Sequence, residues 1–532
     1  MAGSGGGALV AAYTAAKAGL RTMVLEKAPV FGGMSAYSGA CLWLPGNPVT
    51  AQVTDANTVE AAREYLRATI PDADRQAGYS GADAQLDAFT ATSGELAGFL
   101  GQDPDLSFEY LLFPDYYDAP GRVPNGRGIA PKPLRGAELG DLLPRLRPTL
   151  AADRLGLPAD RSTLTGGQAL IGRLLLTLSK LDNVDLRTST PVESLLTDTS
   201  GGTGLRVTGV VARRDGERAE IRARRGVILG AGGFEANAEL RKKWQDRDAT
   251  WTNAPATHTG DAILAGQAIG ARLAGLAHGW WATNAVYPAG PGAETGGSGL
   301  TSLFITGFRG GIFVNRSGRR FANEQLPYAR LGQAIINETH RCDGEHALPV
   351  WWIFDDRFRR LPALPQAEPD RDAGRAAGLW HTADTIEDLA GQTGLPAAKL
   401  AATVDRFNGF AATGTDEDFG RGQDEFDQFF TGMFARPGHE SADAGPNPCL
   451  VPVTRGPFHA VRLELGDLGT KGGLVTDTHA RVLDASNRPI GGLYAVGNTA
   501  ASPTGGVYPG PGVPLGTAMT FAYRAARHLS QG

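Results

Sequence analysis

Tyr508 stands directly before Pro509-Gly510-Pro511-Gly512, so its phenol is carried on a stiff, tightly turning loop. Gly512 can present a backbone N–H with no side chain in the way. From Gly516 onward, Met519, Phe521, Ala522, Ala525, Ala526 and Leu529 make one small or apolar helical face. A helix start behind a glycine-rich loop favours partial negative charge. A phenol and a backbone N–H at such a place could hold a carbonyl oxygen that gains charge during reaction. Taken alone, the YPGPG stretch reads equally well as a proline-stiffened surface loop, so the elements that would position it decide.

The chain begins with such an element. Residues 3–8 read GSGGGA, a G-x-G-x-x-[G/A] run formed by Gly3, Gly5, Gly6 and Gly7 with Ala8. A small-residue helix follows to Ala18, Gly19 ends it, and Arg21–Glu26 reads as a buried strand closing on an acid. That order predicts a dinucleotide fold, in which the glycines admit a pyrophosphate and Glu26 accepts hydrogen bonds from a ribose. A buried strand should precede the fingerprint, yet only Met1 and Ala2 do. The expectation is that the sheet lacks this strand in the chain as written and that the working protein is longer at its N-terminus. Beyond Lys27, the loop Gly32-Gly33, Ser35, Ser38-Gly39 supplies N–H groups and hydroxyls able to line a diphosphate and a ring. The run GVILGAGGFEAN (Gly226–Asn237), with Gly230, Ala231, Gly232 and Gly233, brings an apolar strand back to the same place. Gly492–Asn498 is read as a further strand ending there.

Between these parts the β-α-β rhythm is lost. Residues 285–466 read as an inserted α+β substrate domain, flanked by cofactor-binding parts 1–284 and 467–532. Residues 365–376 and 411–446 are polar and rich in Pro and Gly, which predicts loops. The Arg319–Arg320 pair, before Asn323-Glu324, is expected to make structural ion pairs. Helices are expected around Val59–Leu66, Leu86–Leu100 and Gln168–Leu181. Tyr116 and Tyr117 fall in an irregular loop, where packing aromatics are the ordinary expectation for either alone.

Composition narrows the class. With 532 residues, 42% hydrophobic and 20% charged, the chain suits a two-domain globular protein. A net charge of −5 makes no case for nucleic acid. Cys41, Cys342 and Cys449 are far apart and offer neither metal spacing nor a disulfide framework, which fits a reducing cytoplasm. No secretory signal and no membrane-spanning apolar run is visible; peripheral membrane contact is compatible with the sequence.

The pattern Glu26-Lys27, Gly32-Gly33, Ser35, Ser38-Gly39 resembles the fumarate reductase and succinate dehydrogenase flavoprotein superfamily, which implies FAD rather than NAD. Thr259-Gly260-Asp261 matches another of its elements, implying that Asp261 approaches the polyol chain of the flavin. GRRFANEQLPY (Gly318–Tyr328) together with Asn498–His528 is similar to the 3-ketosteroid Δ1-dehydrogenases over essentially the whole chain. The resemblance implies an α/β, Rossmann-like FAD domain split around an inserted substrate domain. It implies a cofactor set of Gly3, Gly5, Gly6, Gly7, Glu26, Lys27, Gly32, Gly33, Ser35, Ser38, Gly39, Val192, Ala231, Gly232, Asp261, Asn498, Leu515 and Gly516. It also implies steroid breakdown: Tyr508 and Gly512 hold the C3 carbonyl, Tyr328 takes the C2 proton, Tyr116 (or adjacent Tyr117) supports it, and the C1 hydride passes to FAD N5. The electron acceptor expected is quinone-like or artificial. Rival readings are a Δ4-(5α)-ketosteroid dehydrogenase, a dicarboxylate reductase and a non-catalytic flavin- or steroid-binding protein. A dicarboxylate site needs arginine clamps, and no arginine occurs from Pro489 to Tyr523; Arg330 is the one candidate near the tyrosines.

Overall fold

Two sheets position everything that follows. Their main strands are β1 (Thr22–Leu25), β2 (Val184–Arg187), β3 (Val227–Leu229), β4 (Gly279–Tyr287), β5 (Ile312–Val314), β6 (Val350–Asp355), β7 (Phe458–Thr470) and β8 (Pro489–Ala495). The helices used below are α1 (Gly6–Lys17), α2 (Val59–Thr69), α3 (Asp261–Ala268), α4 (Tyr328–Arg341), α5 (Glu425–Phe434) and α6 (Val513–Gln531). The computed structural model describes the chain except residues 73–80, 157, 201–203, 215, 248, 288–298, 303–309, 342–347, 360–370, 435–444 and 532. Cys342 and part of the expected 365–376 loop lie outside the described residues.

The first sheet is parallel. β1 pairs with β2 from Thr22↔Val184 to Leu25↔Arg187, and β3 pairs with β8 from Val227↔Leu493 to Leu229↔Ala495. Between β1 and β3 lies Ala2, which makes parallel bridges to both Leu25 and Leu229. Ala2 N–H donates to the Ile228 carbonyl at 2.9 Å, Gly3 N–H to Leu25 at 2.8 Å, and Gly230 N–H to Ala2 at 2.8 Å. Ala2 thus bridges β1 and β3, but no strand of several residues stands between them among the described residues. These backbone bonds satisfy donors and acceptors on both neighbours.

Helix α1 is buried from Gly6 to Ala16. Its small residues let it lie close on α6: a methyl group at Gly7 would stand 3.2 Å from the Ala518 carbonyl. Helix α6 is seated in turn by Gly516, where a methyl group would stand 2.4 Å from the Trp43 carbonyl.

The second sheet is antiparallel, in the order β4–β7–β6–β5, with Gly299–Ser302 beyond β4 and Trp380–Ala383 paired to β7. Its alternation shows in β6. Val350, Trp352 and Phe354 pack with Leu331 and Ile335 of α4, while Trp351 and Ile353 pack with Leu389, Leu400 and Phe407 on the opposite face. This sheet starts at Gly279 and ends at Thr470, a few residues outside the 285–466 expected from the sequence.

Both loop expectations fail in part: Arg371–Ala376, within 365–376, is a short helix. Within 411–446, Glu425–Phe434 is helix α5. Its Phe426 and Phe430 stand one turn apart and are buried, so an amphipathic face lay inside a window dominated by Gly and Pro. Among the described residues no helix is long and apolar enough to cross a membrane.

Candidate active site

A cavity of about 620 Å³ runs from Gly3 and Glu26 at the start of α1, past Asn498 and Leu515, to Tyr328, Tyr508 and Gly512. At its first end, α1 opens with Gly5 as N-cap, no capping side chain and no acid in its first turn. The positive end of the helix is thus left to an anionic ligand. Ser35 lies beside it, its hydroxyl accepting from Gly6 N–H at 3.0 Å. Glu26 is buried at the end of β1. Its carboxylate accepts from the Ser4 hydroxyl at 2.5 Å and from Ala28 N–H at 2.8 Å, which leaves acceptor capacity for ribose hydroxyls. An anion-binding helix start next to a strand-end carboxylate is the donor set that a dinucleotide requires, so the residues present fit FAD.

Most of the expected cofactor set lines this cavity: Gly3, Gly5, Gly6, Gly7, Glu26, Lys27, Gly33, Ser35, Ser38, Gly39, Val192, Ala231, Gly232, Asp261, Asn498 and Leu515. Two do not. Gly32 stands behind the loop with φ +121°, its N–H given to the Ser4 hydroxyl at 2.9 Å. Gly516 is consumed by packing on Trp43. At both positions neighbouring protein atoms leave no room for a side chain. Asp261, expected against the polyol chain, is held by Lys27, whose ammonium lies 2.7 Å from its carboxylate and 2.6 Å from the Thr259 hydroxyl. That places Asp261 next to the strand-end acid Glu26.

Two further groups stand here that the sequence analysis did not single out. His258 lines the cavity between Gly33 and Gly232, where a methyl group on Gly232 would stand 2.6 Å from its ring; its Nδ1 lies 3.3 Å from buried Glu235. Thr499 accepts from Ala231 N–H at 3.0 Å and donates to the Gly232 carbonyl at 2.7 Å, fixing that turn. Both stand beside residues already singled out, His258 before Thr259-Gly260-Asp261 and Thr499 after Asn498, and neighbourhood was the available signal.

At the other end three phenols converge. The Tyr116 and Tyr508 rings are 5.3 Å apart between centroids, Tyr328 and Tyr508 5.8 Å, and Tyr116 and Tyr328 6.0 Å. Tyr328 and Tyr508 border the cavity; Tyr116 lies behind them, fully buried. Tyr117 points away, its ring 4.8 Å beneath the Arg330 guanidinium. The geometry therefore brings Tyr116, not Tyr117, to the cluster.

Local structure explains each placement. Tyr328 opens α4 immediately after Pro327, so the positive end of that helix lies at the same corner. Gly512 holds φ +87°, and a methyl group on it would stand 2.2 Å from the Cys41 carbonyl. The Tyr508 ring is also packed edge-on by Trp280, with centroids 4.8 Å apart.

Burial pushes all three phenols above the usual tyrosine range. Tyr328 differs in that hydrogen bonding from Tyr116 and from Tyr508 pulls it back down, easing its ionisation. The same contacts push Tyr116 and Tyr508 further up, as donors. The nearby Gly512 N–H opposes the rise at Tyr508.

The arginines are committed elsewhere. Arg320 is buried in bonds to Glu324 and Asp416, as expected of a structural pair. Arg330 donates to the Tyr116 carbonyl at 3.1 Å.

A family model described as an FAD binding domain matches residues 1–515. The chain belongs to this FAD-binding family. The flavoprotein is 35% identical to a 3-oxosteroid 1-dehydrogenase of Mycobacterium tuberculosis, over 99% of its own length and 97% of that protein. It is also 35% identical to a 4-oxocyclohexanecarboxylate 2-dehydrogenase of Sinomonas cyclohexanicum, over 99% and 92% of the two chains. Its fold matches the crystal structure of the 3-ketosteroid delta1-dehydrogenase from Sterolibacterium denitrificans in complex with 1,4-androstadiene-3,17-dione. The TM-score is 0.87 at 34% identity, over all of this chain and 98% of that one. The flavoprotein is an FAD-dependent oxidoreductase acting on CH–CH groups.

Proposed function

We propose that the flavoprotein is a 3-oxosteroid 1-dehydrogenase, introducing a C1–C2 double bond into ring A of a 3-ketosteroid. The observation that carries this reading is the meeting of Tyr328, Tyr508 and Gly512 on one stretch of cavity wall, with Tyr116 buried behind them.

The chemistry divides among these groups. Removing a proton from C2, next to the carbonyl, puts negative charge on the C3 oxygen. The Tyr508 hydroxyl and Gly512 N–H donate to that oxygen as the charge grows. Tyr328 takes the C2 proton; Tyr116 donates to its oxygen and eases its ionisation, while the single proton of Tyr508 is given to the C3 oxygen. Tyr116 touches no substrate and supports Tyr328 from behind. FAD, when bound, supplies the acceptor for the hydride that leaves C1. Gly3, Gly5, Gly6, Glu26, Ser35 and Asn498 are the residues that would hold it. Residues 1–284 and 467–532 serve as its two binding parts, around a substrate domain over 285–466.

A steroid is favoured over a small oxocyclohexane carboxylate, the substrate class of the Sinomonas relative. A carboxylate would call for an arginine or lysine near the tyrosines. Among the described residues, the cavity wall around them offers Cys41, Leu111, Phe113, Leu468 and Pro511. Lys27 is paired with Asp261, and Arg330 is turned onto Tyr117 and the Tyr116 carbonyl. Reoxidation by a quinone-like acceptor, in the cytoplasm or at a membrane surface, fits this reading.

The test is anaerobic mixing of flavin-loaded protein with 4-androstene-3,17-dione, following the flavin band at about 450 nm. Bleaching with the 1,4-diene as product is expected. No bleaching with this steroid, and bleaching instead with a 5α-saturated steroid, 4-oxocyclohexanecarboxylate or succinate, would overturn the assignment in favour of that substrate.

A further inference from the structure

Tyr116 and Tyr508 reach the site on two irregular loops from opposite ends of the chain, and one buried hydroxyl bonds to both loops. Tyr65, on α2, is fully buried and borders no part of the cavity. Its hydroxyl donates to the Pro509 carbonyl at 2.6 Å and accepts from Tyr117 N–H at 3.0 Å. Tyr116 N–H donates to the same Pro509 carbonyl at 3.0 Å. Each bond made by Tyr65 therefore falls one residue from a phenol of the site: Tyr117 follows Tyr116, and Pro509 follows Tyr508.

A buried charge network supports the clamp from below. Asp115 is fully buried and accepts from Trp43 Nε1 at 2.7 Å, Val123 N–H at 3.2 Å, and Arg127 Nε and Nη2 at 3.1 and 2.7 Å. The Arg127 guanidinium lies 4.9 Å from the Trp43 ring and 5.5 Å from the Tyr65 ring. Gly510 rests on Trp43, where a methyl group would stand 2.7 Å from Nε1. Trp43 thus touches both loops, Asp115 on one and Gly510 on the other.

We propose that Tyr65 is a positioning residue, setting the distance between Tyr116 and Tyr508 and thereby how well Tyr116 supports Tyr328 while Tyr508 holds the carbonyl oxygen. The inference rests on the roles proposed above for the tyrosines. Hydrogen bonds at the site are sensitive to small displacements, and a shift of about 1 Å can cost about 100-fold in rate. Tyr65→Phe keeps the ring in its packing and removes only the hydroxyl that bonds to both loops, leaving the direct Tyr116 N–H to Pro509 bond.

The experiment compares FAD-loaded wild type, Tyr65→Phe and Trp43→Phe. For Tyr65→Phe, bound FAD and melting temperature stay near wild type, KM changes by less than about threefold, and kcat falls about 10- to 100-fold. Exchange of the C2 hydrogen with solvent slows in parallel, and the rise of its rate with pH moves to higher pH. Trp43→Phe, which removes the donor to Asp115, gives the same pattern more weakly. A kcat and exchange rate within twofold of wild type in Tyr65→Phe overturn the proposal. So does a loss of kcat that only tracks lost FAD or lost folded protein, since that marks a purely structural role. Tyr116→Phe and Tyr328→Phe separate the two levels. If they lower turnover while Tyr65→Phe does not, the clamp alone fails; if neither lowers it, the reading of the site fails and the clamp with it.

Discussion

The Tyr116 and Tyr328 rings meet at 90°, with centroids 6.0 Å apart, one from an N-terminal loop and the other from the first turn of α4. An edge-on meeting lets one phenol stand behind the other without sharing its wall of the cavity. Tyr328 therefore faces the cavity while Tyr116 remains in the core, packed also against Phe426 of α5 at 5.5 Å. The proposed base and its proposed support are thus two layers of one cluster.

Replacing Tyr508 by Phe removes one of two donors to the carbonyl oxygen and leaves the ring in its contact with Trp280. Turnover is expected to fall by about 10²–10³, with FAD still bound. Steady-state kinetics and the absorbance of the bound flavin check both.

Replacing Tyr328 by Phe removes the proton acceptor while preserving the start of α4. Exchange of the C2 hydrogen with deuterated solvent is expected to fall to background with flavin bound. Mass spectrometry of recovered steroid measures it, and unchanged exchange would remove Tyr328 as the base.

The pH dependence has a definite sign. Burial raises Tyr328 and the Tyr116 hydrogen bond opposes that rise, so the basic form grows as pH increases and C2 exchange accelerates with it. Tyr116→Phe deletes a bond that favours the anion. The alkaline rise should then move to higher pH, and at pH 7 exchange should be slower than in wild type. A profile moved to lower pH would contradict the supporting role.

Gly512 cannot accept a side chain cheaply, given φ +87° and the Cys41 carbonyl 2.2 Å from where a methyl group would stand. Gly512→Ala must displace the loop that bears Tyr508, at a cost of about 1–3 kcal/mol. A lowered melting temperature is expected together with a larger loss of kcat than of bound FAD.

The substrate-side sheet depends on a buried ionic cluster. Glu324 accepts from Arg320 at 2.8 and 2.9 Å and from Arg421 at 3.1 Å. Burial pushes its carboxyl up, but the two arginines outweigh burial and hold it below the usual range. A carboxyl depressed in the folded state adds stability above its unfolded pKa of about 4.3, lost as pH falls through the folded value. Glu324→Gln is expected to cost about 3–5 kcal/mol at neutral pH. In thermal melts the gap to wild type should narrow as the solution is acidified, and a constant gap would show that charge is not the cause.

What the sequence determined was whatever depends on spacing along the chain. The glycine fingerprint, the acid at the end of β1, the turn at Tyr508-Pro509-Gly510 and the helix expected from Gly516, which starts at Val513, are each set within a few residues, because backbone freedom and helical periodicity are local properties. The tertiary structure decided what depends on a partner surface. Tyr116 and Tyr117 are equivalent in sequence, and only the opposing Phe426, Tyr328 and Arg330 turn one inward and the other outward. Gly32 and Gly516 read as ligand glycines by spacing, and only folding sets Ser4 and Trp43 against them. The centre of the first sheet is bridged by Ala2, whose role is fixed by Leu25 and Leu229 on either side rather than by any strand-like run of its own. Tyr65 is one more helical tyrosine until folding carries its hydroxyl to Pro509, from the far end of the chain. A hydrogen bond is short-ranged and directional, so which distant groups share one is settled only when the chain has packed.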